Sequence, residues 1–97
     1  MNSKDALSIL RDHESDLRAR GVRRAALFGS VARGDNRPDS DLDIMIEIDP
    51  GKPLTVYDYA GLKDYIAGLF DGPVDVVSRE NLKPHIRPAT ADAIYAF

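Results

Sequence analysis

No cysteine occurs in this 97-residue chain, which excludes disulfides, thiolate metal sites and thiol nucleophiles together. That suits a reducing compartment. No apolar run approaches the roughly 20 residues that a membrane span needs. Met1-Asn2-Ser3-Lys4-Asp5 has no apolar stretch behind it, so no signal peptide and a cytoplasmic location are expected. A charge of one sign is also lacking. Thirteen basic residues against sixteen acidic ones leave a net charge of −3, which removes any whole-chain electrostatic case for nucleic acid. Repeats, low-complexity tracts and long linkers are missing too. What is present is a globular composition: Leu, Ile, Val and Phe supply 25 of the 97 residues, above the roughly 20% below which disorder becomes the better reading. One domain covering residues 1–97 is expected, with a modest core. A large acceptor must then come from another molecule.

The pattern along the chain alternates helices with strands. Asn2 or Ser3 can cap a first helix reaching about Arg20, with Ala6, Leu10, His13 and Leu17 on one stripe and Gly21 after its end. Val22 to Phe28 reads as a buried strand stopped by Gly29, Ser30 to Arg33 as a helical turn, and Gly34 to Ser40 as a polar loop. Leu42 to Ile48 is the clearest strand. Leu42, Ile44, Ile46 and Ile48 share one face; Asp41, Asp43, Met45 and Glu47 share the other. Pro50 to Pro53 is a turn, and Thr55 with Asp58 resembles a capping box. It opens a helix carrying Tyr59, Leu62, Ile66, Leu69 and Phe70, ended by Gly72-Pro73. Val74 to Val77 follows as a third strand, then a helix over Leu82 to Asp92 broken near Pro84 and Pro88. Ile94 to Phe97 is a terminal edge strand. The fold class is α/β, a small mixed sheet flanked by helices.

The chemistry lies between Gly29 and Asp43. Asp41 and Asp43 stand two apart at a strand start, so both carboxylates point to one face, roughly 7 Å apart. At an effective dielectric near 20 they repel by about 2 kcal/mol. A divalent cation reverses that sign, and carboxylates are the ligands hard Mg²⁺ prefers. Asp75 interrupts an apolar strand, where a buried carboxylate needs a partner or a metal. If its strand neighbours that of Asp43, three carboxylates converge as two-metal phosphoryl transfer requires. Glu47, further along the same face, falls outside this set. Gly29-Ser30, directly after a strand and opening a turn, offers close backbone approach, N–H groups and a hydroxyl to an anion. The Gly29-x-x-x-x-Gly34 spacing matches a P-loop, but Asp35-Asn36 replace its Lys and Ser/Thr. A dinucleotide fingerprint fails as well, because Val31 replaces its second glycine.

Gly29-Ser30, ten residues, then Asp41-x-Asp43 resembles the signature of the DNA polymerase beta-like nucleotidyltransferases. The wording Leu27-Phe28-Gly29-Ser30-x-Ala32-Arg33-Gly34 in a short chain looks like their minimal branch, the MNT family. The likeness spans about Val22 to Ser78. It implies that Gly29 and Ser30 hold a triphosphate and that Asp41 and Asp43 bind two Mg²⁺. Asp75 would ligate one metal and serve as base. The reaction implied is attack of a hydroxyl on the α-phosphorus of ATP. Many such proteins resemble antitoxins that add AMP to a tyrosine of a HEPN-type toxin, which makes a hetero-oligomer with that toxin the expected assembly. Neither direct nucleic-acid nor membrane contact is expected.

Plainer readings stand beside each of these. Asp41 and Asp43 can be a solvated strand end, and Asp75 a salt-bridge partner. Arg33 can contact phosphate or simply end a helix, while Arg37 and Asp39 read as loop surface. Arg18, Arg20, Arg23 and Arg24 suit a helix C-terminus and its dipole. Arg79 and His85 match a ribonuclease spacing without the helical bundle that such a motif occupies. Tyr57, Tyr59, Tyr65 and Tyr95 read as packing residues. Two other functions remain open: an antitoxin that neutralises by binding alone, and nucleotidyl transfer to a small molecule such as an aminoglycoside.

Overall fold

A computed structural model describes residues 2–34, 37, 41–81 and 93–97. The described chain forms α1 (Ser3–Asp12), α2 (Glu14–Ala19), β1 (Val22–Phe28), α3 (Gly29–Arg33), β2 (Leu42–Ile48), α4 (Val56–Ala67), β3 (Val74–Ser78), a 3-10 turn (Arg79–Asn81) and β4 (Ile94–Tyr95). The strands make one mixed sheet in the order β3-β2-β1-β4. β2 lies antiparallel to β1 and parallel to β3, while β4 pairs antiparallel with β1.

Alternation along β2 decides which way each side chain looks. Leu42, Ile44 and Ile46 pack with Val22, Leu27, Ala6, Leu10, Leu17, Leu62 and Ile66 in the main core, so α1, α2 and α4 cover one face. Met45 joins Ala26 and Phe28 in a smaller cluster on the other face. Asp43 and Glu47 flank Met45 at alternate positions of that second face.

Several expectations need correction. The first helix is two. Asn2 caps it, accepting from Asp5 N–H, but it breaks at His13. The His13 Nδ1–H donates to Ile9 O at 2.8 Å, taking the carbonyl that the His13 backbone would use, and its own N–H turns to Leu10 O. α4 ends at Ala67, not at Gly72. Beyond it, Leu69 and Phe70 donate to carbonyls three residues back, a tighter turn that still buries Phe70. Its start is as expected: Thr55 and Asp58 form a reciprocal capping box. Tyr57 does not pack; it is 89% exposed. Asp75 is exposed rather than buried. The expected loop over 34–40, apart from Gly34 and Arg37, and the expected helix over 82–92 lie outside the described residues, as does His85. Among the described residues, no helix is long and apolar enough to cross a membrane.

Candidate active site

Two register pairs assemble the site. Phe28 ends β1 opposite Asp43, which leaves Gly29, the next residue, directly beside the Asp43 carboxylate. The parallel β2–β3 pairing sets Asp43 opposite Asp75. Successive strand residues alternate faces, so this pairing puts both carboxylates on the same side of the sheet. Asp41 sits one residue before β2, exposed. Thus one end of the sheet gathers Gly29, Ser30, Asp41, Asp43 and Asp75 within one neighbourhood.

Gly29 has φ +76°, and a methyl on its Cα would collide with Asp43 Oδ2 and stand 3.1 Å from its Cγ. The missing side chain is therefore what lets the carboxylate lie over the β1–α3 turn. Gly34 closes α3 in the left-handed region. Arg33, at the last position of α3, is exposed and near enough for its charge to act on Asp43.

Burial, then the charges of Asp75 and Asp41, pushes the Asp43 carboxyl above the usual 3.8; the Arg33 guanidinium opposes them. Like charges held this way favour a cation. Among the described residues, no three acidic or imidazole side chains already stand as a metal cluster. The carboxylates are neighbours, not a closed cage. Mg²⁺ fits such a set, because it keeps several waters and takes one or two carboxylates together with substrate phosphates.

Glu47, set aside in the sequence, is the other organised group on this face. It is 3% exposed. Arg23 Nη2 donates to its Oε1 at 3.0 Å; Tyr95 Oη and Arg79 Nη1 donate to its Oε2 at 3.1 and 3.4 Å. Register slips at Arg23, between the Val22–Ile48 and Arg24–Glu47 pairs, and this bulge brings both arginines to the Glu47 side. Arg24 then lies 3.9 Å over the Tyr95 ring. The cluster ties β1, β2, β4 and the chain beyond β3 together. Only the alternation of Glu47 with Asp43 hinted at it. Arg18 and Arg20 are likewise engaged, with Glu14 and over Tyr65, so the basic run is structural.

Burial raises the Glu47 carboxyl, yet the hydrogen bonds from Arg23 and Tyr95 and the charges of Arg79 and Arg24 outweigh it, leaving it below the usual 4.5. A depressed carboxyl contributes stability above its ordinary value and loses it as pH falls through the lower folded value. Glu47→Gln is therefore expected to cost about 2 kcal/mol at neutral pH, the scale of charge-assisted hydrogen bonds. In urea titrations from pH 7 downward, the gap to the parent should close below pH 4.5. A gap constant with pH would refute the assignment.

The nucleotidyltransferase domain family matches residues 8–95, and the chain belongs to that family. Its relatives place it among the minimal nucleotidyltransferases. It is 38% identical over 80 residues to the protein adenylyltransferase MntA of Thermococcus cleftensis, covering 81% of this chain and 79% of that protein. A solved minimal nucleotidyltransferase is 36% identical, with a TM-score of 0.66 over 97% of this chain and 95% of its own. A chain from the complex of a tri-AMPylated Shewanella oneidensis HEPN toxin with MNT antitoxin shares the fold at 17% identity, with a TM-score of 0.63, covering 94% of this chain and 71% of that one.

Proposed function

We propose that this chain, a single nucleotidyltransferase domain over residues 1–97, moves AMP from ATP to a tyrosine hydroxyl of a HEPN-type toxin and so acts as its antitoxin. One observation carries the reading: Asp43 is packed over the Gly29 turn, opposite Asp75 and near Asp41, in an arrangement that like-charge repulsion disfavours. The name of the Thermococcus relative and the AMPylated toxin in the Shewanella complex support AMP as the group and a toxin as the acceptor.

In this reading the N–H groups of Gly29 and Ser30 and the Ser30 hydroxyl hold the triphosphate, with Arg33 beside it. Asp41, Asp43 and Asp75 would hold Mg²⁺, two ions in all. When bound, such cations neutralise charge on the phosphate oxygens. Asp75, exposed at the rim, reaches the incoming hydroxyl and takes its proton. The tyrosine oxygen forms a bond to the α-phosphorus as the bond to the β-phosphate bridging oxygen breaks, and pyrophosphate leaves.

Intact-mass spectrometry of a HEPN-type toxin, incubated with the chain, ATP and Mg²⁺, tests this. AMP-sized increments that vanish with Asp41→Ala/Asp43→Ala are expected. A stable complex without increments would replace transfer by inhibition through binding alone.

A further inference from the structure

At the end of β2 away from Asp43, a groove of about 550 Å³ lies between Ile48, Leu54, Val56 and Tyr59. Ser78 lines it, 2% exposed, and its Oγ makes no hydrogen bond among the described residues. A buried hydroxyl left without a partner costs free energy, and a ligand group in the groove can satisfy it. Val56 and Tyr57, 83% and 89% exposed, form a ridge in the first turn of α4. Across that ridge lies a second groove, of about 390 Å³, lined by Tyr57, Arg20 and Lys52.

The two rims carry opposite charge. Asp49, Glu80 and Arg23 edge the first groove, a lining with one negative charge in excess. Arg20, Lys52 and Asp58 edge the second, a lining with one positive charge in excess. A two-fold axis along the ridge sets the acidic groove of one copy against the basic groove of the other, and every pairing occurs twice. A small ligand would leave the Val56–Tyr57 ridge in water; a second copy covers it.

We propose that this face is a homodimer interface in which Tyr57 of each copy enters the other's groove and its phenol hydrogen-bonds the buried Ser78 Oγ. The carboxylates at the opposite end of β2 stay open.

Sedimentation velocity of the full chain across a wide concentration range tests it. A reversible monomer–dimer equilibrium is expected. Tyr57→Ala should weaken it by about a thousandfold, the effect of losing a central aromatic anchor at each of the two symmetric contacts. Tyr57→Phe and Ser78→Ala should each weaken it by about 30-fold, the worth of one hydrogen bond at each of the two symmetric contacts, and together by no more than either alone. Lys52→Glu should weaken association and Lys52→Glu/Glu80→Lys restore it. Tyr57 and Lys52 are exposed, so these changes spare the fold, as far-ultraviolet circular dichroism would verify. A monomer at every concentration, a dimer indifferent to Tyr57→Ala, or no recovery in the charge swap would overturn the proposal.

Discussion

Asp43→Asn should lower AMP transfer by at least about a thousandfold while raising the melting temperature. The first effect follows from removing a carboxylate proposed to hold the cations, which are worth several kcal/mol at about 1.36 kcal/mol per factor of ten. The second follows from electrostatics. Asp43 is half-buried, and burial together with Asp75 and Asp41 disfavours its charge, so a neutral isostere relieves the folded state. Screening between partly exposed groups keeps that gain below about 1 kcal/mol, which corresponds to a rise of at most about 4–8 °C for a domain this size. Transfer measured by mass and melting measured in chelator separate the two effects. A variant that melts lower would show Asp43 to be a structural anchor instead. Retained transfer would remove it from the site.

Gly29→Ala should damage both stability and transfer, and by more than its chemistry suggests. At φ +76° an alanine pays a left-handed backbone cost of about 1–2 kcal/mol. In addition its methyl meets the Asp43 carboxylate, which must move. Displacing a reacting group by about 1 Å can cost about 100-fold in rate. Gly34→Ala is the natural control, since Gly34 has φ +79° but nothing within 4 Å of the added methyl. Its loss should be the backbone cost alone. The difference between the two variants isolates the collision, and Asp43→Ala in the Gly29→Ala background should recover stability. Equal losses at Gly29 and Gly34, with no recovery in the double variant, would mean that the turn and the carboxylate are not coupled.

Much of this was legible in the sequence because short-range physics decided it. Leu42, Ile44, Ile46 and Ile48 recurring at every second position mark a strand, and Gly29 ends an apolar run at Phe28, so β1, α3 and β2 fall where the residues alone place them. The Thr55–Asp58 capping box is equally local. Where local preference met competition, the sequence misled. The His13 imidazole takes the Ile9 carbonyl and splits a stripe that reads as one helix. Asp75 reads as buried among valines but lies exposed, because sequence does not say which strand face a layer of helices will cover.

By itself, then, the sequence determined β1, α3, β2 and the start of α4, the Gly29-Ser30 turn and the paired aspartates, since each depends on residues a few positions apart. Only the tertiary structure decided that β3 lies parallel to β2 with Asp75 opposite Asp43. It also decided that Glu47 draws in Arg23, Arg79 and Tyr95, and that buried Ser78 lines a groove with Val56. Each of these joins residues 20 or more positions apart, where no helical or strand period carries information. Strand order and side-chain packing across the sheet set them instead.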